Sequence, residues 1–178
     1  MNVEGLLALG RLATVALHPT EDWLCAAVSR RSTCGARWVH DLWRIPLDGS
    51  DAVQLTFGEW NDRAPHFSSQ GLLGFLSNRP VGKLPEPGED ERSQIWGFDP
   101  GGREARRLSD GALGVNDFRF AGARLLVWTR HWPDVPDTEQ RAHAAKRAKD
   151  GPSVLHYRQT PVRHWDHWHG PGRANGPS

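Results

Sequence analysis

The side chains best suited to chemistry fall in a few short strings. His164, His167 and His169 surround Asp166 near the C-terminal end. Imidazole and carboxylate are good zinc ligands. Here they alternate with Trp165 and Trp168. Aromatic-flanked histidines readily pack or hydrogen-bond, and short motif matches often arise by chance, so no metal ligand is assigned. A basic string, Arg141, Lys146, Arg147 and Lys149, could meet phosphate. It lacks the interleaved aromatics that stack bases, and reads as the solvated face of a helix. Ser29 with Arg31, Ser77 with Arg79, and Thr129 with Arg130 recur as hydroxyl and guanidinium pairs. An arginine so placed donates to backbone carbonyls between strands, or lines a face toward a partner domain. None of these strings makes a catalytic, cofactor or metal site, and none is assigned.

The elements that carry these residues repeat. Trp23–Arg31 aligns with Gly71–Arg79 at an offset of 48 positions, each ending in an apolar pair, Ser, a variable residue and Arg. A turn precedes each, His18–Asp22 and His66–Gln70. Leu42–Gly49 then parallels Ile95–Gly102, and Val53–Thr56 parallels Ala105–Ser109, at an offset near 53. The difference falls between Pro80 and Ser93, where a surface loop tolerates insertion. A degenerate third copy runs from Asp117–Phe120 into Leu125–Arg130. Short apolar runs bounded by Gly, Pro, Asp and Asn are strand-and-turn chemistry, and the period is that of a four-stranded propeller blade. The fold class expected is all-β: an incomplete β-propeller of about two to three four-stranded blades, with one short helix near 138–149.

Composition agrees with a globular chain of this kind. The 178 residues carry 22 Lys+Arg against 21 Asp+Glu, which argues against a nucleic-acid-coating protein. Nine Trp stand beside one Tyr and one Met, and large rings of this type anchor strands or interfaces. Cys25 lies in an apolar run and Cys34 in a polar one; their spacing fits neither a zinc motif nor a redox pair, and a disulfide between them is open. No stretch is apolar enough to span a bilayer. The N-terminus lacks a basic region ahead of its apolar residues, so neither a signal peptide nor a membrane partner is expected. The expected location is cytoplasmic.

The organisation expected is an N-terminal strand region (1–17), blades (18–133), a helix with the start of a further blade (134–170) and a disordered tail (171–178). Thr138–Lys149 is the strong helix candidate. Thr138 is its expected N-cap, without a full capping box because Arg141 stands at the third position; Asp150-Gly151-Pro152 stops it. Ser153–Tyr157 reads as a strand.

With the repeats in view, the ordered set Leu47-Asp48-Gly49, Gln54-Leu55-Thr56, Pro65–Gly71, Phe75–Arg79 and Gln94-Ile95-Trp96 resembles the WD40-like propeller repeat. Together with Val162–Trp168, it is similar to the N-terminal propeller of the prolyl oligopeptidase family of serine peptidases, of the dipeptidyl-aminopeptidase and acylaminoacyl-peptidase type. The resemblance spans roughly residues 15 to 170. It implies a propeller that precedes an α/β-hydrolase domain and restricts access to small peptides. That domain holds its nucleophile in a G-x-S-x-G elbow. The nearest string here, Gly151-Pro152-Ser153-Val154-Leu155, lacks the last glycine and precedes a strand-like run. No catalytic residue is therefore carried over, and the chain by itself is expected to be inactive. The acidic run Glu86–Glu91 could meet a peptide amino terminus, but reads as a solvated loop. The partners expected are the hydrolase domain or the remaining blades, with self-association through uncovered edges and no nucleic acid. The alternative is a stand-alone interaction module.

Overall fold

The computed structural model describes residues 9–80, 92–98 and 104–150, together with three short strands in the region 163–175. Strands β1 (Arg11–Leu17), β2 (Trp23–Arg31), β3 (Trp38–Pro46) and β4 (Val53–Gln54) form one antiparallel sheet in chain order. Strands β5 (Arg63–Phe67), β6 (Leu73–Ser77), β7 (Gln94–Phe98) and β8 (Arg106–Arg107) form a second of the same order. A third sheet begins with β9 (Asp117–Ala121) and β10 (Arg124–His131). The first strands lie side by side, β1 against β5 and β5 against β9. The sheets therefore fan outward from their first strands as propeller blades do. Among the described residues two blades are complete and a third is partial, so the expected incomplete propeller is the fold observed.

Blade 2 is covered on both faces. Cys25, Ala27 and Leu42 of blade 1 meet Leu73, Phe75 and Trp96 of blade 2 in one seam. Leu76 and Ile95 meet Val115 and Phe118 in the other. Every residue of β6 is accordingly buried, and its sequence is an apolar run, not an alternation, as a strand covered on both faces requires. Gly74 and Gly97 are paired across β6 and β7. A Cβ on Gly74 would lie 2.9 Å from the rings of Phe118 and Phe120, and one on Gly97 2.7 Å from Leu108 Cδ1. Glycine here permits close approach of packed neighbours.

The short outer strands are extended by a repeated device. The N–H of Leu55 donates to the Leu42 carbonyl (2.7 Å), and the N–H of Leu42 donates to Thr56 Oγ1 (2.9 Å). In blade 2 the N–H of Leu108 donates to the Ile95 carbonyl and that of Ile95 to Ser109 Oγ, both at 2.8 Å. The Leu-Thr and Leu-Ser pairs of the repeat thus each supply an apolar plug for a seam and a hydroxyl for an otherwise unpaired N–H.

Pairing corrects the repeat alignment by one residue. Ala27 faces Leu42 across the ladder, and Leu76 faces Ile95. Leu42 and Ile95 both point toward the following blade, so Ala27 matches Leu76, one position further on than the sequence alignment placed it. Arg30, not Arg31, is the counterpart of Arg79, and Val28, not Ser29, that of Ser77. A single slip exchanges the two faces of a strand, which similarity of a Ser-x-Arg string does not detect.

The helix begins later than expected. Asp137–Glu139 is a 3-10 turn, and the α-helix α1 spans Gln140–Asp150. Thr138 lies inside the 3-10 turn; Pro136 occupies the cap position, without a side-chain capping bond. Anchorage comes from Gln140, only 2% exposed. Its Oε1 accepts from the Trp132 N–H (3.0 Å), and its Nε2 donates to the carbonyls of Trp132 (2.8 Å) and Val135 (2.6 Å). Strands β11 (Arg163–His164) and β12 (His167–Trp168) pair as a hairpin, and β13 (Arg173–Asn175) pairs with β10. Of the tail 171–178 only β13 is described, and its backbone pairs with the edge of β10. Ser153–Tyr157, Gly151–Leu155 and the acidic run 86–91 lie outside the described residues. Among the described residues no helix is long and apolar enough to cross a membrane.

Candidate functional site

The most distinctive surface is the face of blade 1 that points away from blade 2. Register places Leu12, Val15 and Leu17 of β1 opposite Val28, Ala26 and Leu24 of β2, and these opposite Asp41, Trp43 and Ile45 of β3. Leu12, Val15 and Leu17 are 63%, 54% and 64% exposed, while Leu24, Val28, Trp43 and Ile45 are half-buried. In blade 2 the counterparts of Leu24, Trp43 and Ile45 are Leu73, Trp96 and Phe98, which pack against blade 1. The same side-chain pattern is thus covered in blade 2 and open in blade 1. A fully buried leucine or valine contributes about 1.5–3 kcal/mol, so this face leaves substantial stabilisation unused. Exposed patches of this kind mark interaction surfaces.

The hydroxyl and guanidinium pairs bond within their own blades and to the loops that join them. Asp62, just before β5, is 1% exposed and ion-pairs with Arg79 Nη2. Arg79 Nε donates to Ser77 Oγ at 3.1 Å, and its guanidinium lies over the rings of Trp96 (5.2 Å) and Phe75 (5.4 Å). Burial pushes the Asp62 carboxyl above its ordinary value against the pull of Arg79, and its Oδ1 has no hydrogen-bond partner. Arg30, at the matching position of blade 1, donates to Asp41 Oδ2 (2.6 Å), Glu59 Oε1 (3.3 Å) and the Gly58 carbonyl (2.6 Å). Ser29 Oγ donates to the Arg11 carbonyl and Thr129 Oγ1 to that of Gly114. Arg31 and Arg130 are exposed. Of the arginines singled out from sequence, Arg79 bonds the Asp62 carboxylate and Ser77 Oγ; it is Arg30, which the repeat alignment passed over, that donates to a backbone carbonyl.

The remaining candidates fall apart in space. Cys25 and Cys34 are both free thiols, one buried and one exposed, and burial pushes Cys25 up to about 12. Among the described residues no three His, Cys, Asp or Glu side chains converge as metal ligands. The backbone of β11 and β12 sets His164 across the ladder from His167, but the side chains of His164, Asp166, His167 and His169 lie outside the described residues. Arg141, Lys146, Arg147 and Lys149 are exposed along α1.

No family model matches the sequence, and no curated protein matches it. Solved structures do share the fold. An acylaminoacyl peptidase in complex with Z-Gly-Gly-Phe-chloromethyl ketone superposes with a TM-score of 0.54 at 12% identity, over 76% of this chain and 20% of that one. The orthorhombic form of Pyrococcus horikoshii acylaminoacyl peptidase gives 0.52 at 11% identity, over 75% and 19%. The AtxE2 isopeptidase in its apo form gives 0.58 at 18% identity, over 97% and 28%. The chain therefore spans less than a third of each of these proteins, and the likeness is one of fold. In fold, this chain is an incomplete β-propeller shared with parts of larger peptidase chains.

Proposed function

We propose that the chain supplies the opening blades of a propeller that covers a peptidase's hydrolase domain and limits access to small peptides, without contributing a catalytic group. The observation that carries this reading is the open face of blade 1. It repeats the side-chain pattern that blade 2 buries against a preceding sheet, so its natural cover is a further blade. The fold shared with two acylaminoacyl peptidases and an isopeptidase supports the link to peptide hydrolysis, and the sequence resemblance points the same way.

On this reading the purified chain has no activated serine, and a fluorophosphonate probe leaves it unlabelled; covalent labelling on a serine would overturn the assignment. The reading frame beyond the last codon is the second check. A hydrolase domain with a complete G-x-S-x-G elbow there, or in a co-expressed polypeptide that binds this chain, is the expected result. A second reading, a stand-alone module that binds a protein partner, is favoured by the same exposed Leu12, Val15 and Leu17. It becomes the better one if no hydrolase sequence accompanies the chain.

A further inference from the structure

We propose that the inner edges of β5 and β9 form a binding site for a peptide carboxylate, with the Arg63 guanidinium as its principal ligand and His66 beside it. The site requires only the contact between blades 2 and 3, so it does not rest on the reading of the chain as a peptidase cap.

Its origin is a bulge in β5. Arg63 faces Leu76 and His66 faces Gly74, so three steps along β5 match two along β6. Ala64, within the bulge, has φ of 50°, a left-handed conformation that a non-glycine residue adopts only when its surroundings enforce it. Residues three apart on a regular strand point to opposite faces. The extra residue turns Arg63 and His66 to the same face, the one that meets blade 3. Bulges re-aim side chains in this way beside functional sites.

Among the described residues, the charges at this edge do not balance. Asp117 Oδ1 accepts from Arg119 Nη1 at 2.7 Å and from the N–H of Phe118 at 2.9 Å, so this carboxylate is already engaged. Arg119 Nη1 also contacts His66 Nε2 at 2.7 Å. Arg119 Nη1 has two N–H groups and also donates to the Phe118 carbonyl at 2.6 Å, so the His66 ring lies against a guanidinium already engaged by a carboxylate and a carbonyl. Arg63 is half-buried, and its one hydrogen bond among the described residues goes from Nη2 to Ser93 Oγ at 3.3 Å. Among the described residues, Asp117 thus bonds Arg119 and acts on Arg63 only at longer range, which leaves one positive charge and most of the Arg63 donors for a ligand. The side chains of His66, Asp117 and Arg119 are 27%, 43% and 48% exposed, and β5 and β9 are edge strands of their sheets, so the site is reachable. A planar monoanion matches both the single excess charge and the donor fork of an arginine.

The test is an NMR titration of the full chain, observing the Arg63 Nε–Hε and His66 ring signals. The probes are N-acetylglycylglycine, N-acetylaspartic acid α-amide and, as the neutral control, N-acetylglycylglycinamide. Saturable shifts with a carboxylate probe and none with the amide are expected. Arg63→Gln should weaken binding roughly tenfold, equivalent to about 1.4 kcal/mol, whereas Arg130→Gln on exposed β10 leaves it unchanged. The tighter of the two acids identifies the source, a peptide C-terminus or an acidic side chain. Shifts that never saturate, an equal response to the amide, or undiminished binding by folded Arg63→Gln would each overturn the site. The wild-type titration stands as a test even if that variant does not fold.

Discussion

Asp62 and Arg79 show how one buried pair sets local stability. Removing one partner of such a pair strands the other, at a cost of about 3–5 kcal/mol. Asp62→Ala should therefore lower the denaturant midpoint sharply, whereas exposed Arg31→Ala should barely move it. The pH dependence has a definite sign. The carboxyl of Asp62 is raised by burial, so the folded chain binds its proton more tightly than the unfolded chain. The stabilisation linked to that proton is full below the ordinary Asp value near 3.9 and is lost as pH rises through the higher folded value. Measured as the difference in unfolding free energy between wild type and Asp62→Asn, wild type should lose ground as pH rises through that window. A flat difference would contradict the shift. His66 runs the other way: burial, aided by Arg119, lowers its pKa, so its contribution is present above about 6.5 and fades as pH falls through the folded value.

At the scale of elements, the seams depend on backbone proximity as much as on apolar area. Gly74 lies against two phenylalanine rings of blade 3, which are themselves packed edge-to-face at 5.8 Å. Gly74→Ala must displace that pair, and overpacking of this sort costs about 1–3 kcal/mol. Thermal unfolding should register this loss, and hydrogen exchange should show it concentrated in β9 and β10; an unchanged melting temperature would mean that the seam is looser than its geometry indicates. The helix depends on a different device. A basic, largely exposed helix has little apolar surface to bury, so α1 is held at its start by the Gln140 amide on the end of β10.

At the scale of the whole molecule, the uncovered face of blade 1 governs behaviour in solution. A surface with the pattern of a blade seam and no blade against it should draw the chain into self-association or onto a complementary fragment. Sedimentation velocity should show the average mass rising with concentration. Leu12→Lys combined with Val15→Lys should abolish that rise while leaving the far-UV circular dichroism unchanged. A wild-type chain that stays monomeric at every concentration would show that the face is adequately solvated.

Repeats, turn chemistry and strand composition sufficed to read a partial propeller from the sequence, because blades are built from local hairpins whose apolar runs and Gly, Asp and Pro turns recur along the chain. The Leu-Thr and Leu-Ser pairs were legible as repeat positions for the same reason. Which side chains share a face was not, because period-two elements convert a one-residue uncertainty into a complete reversal. Arg30 and Arg79 became counterparts only when the ladders were paired. The bulge at Ala64 carries no sequence signature, since its conformation is imposed by neighbouring strands and not preferred by alanine itself. The convergence of Arg63, His66, Asp117 and Arg119 likewise belongs to the tertiary structure, because it joins two inner strands far apart in the chain. The sequence by itself determined the architecture, through local patterns that each blade repeats; only the packing of blade on blade decided which faces are covered, which charges are left over and therefore where the molecule can bind.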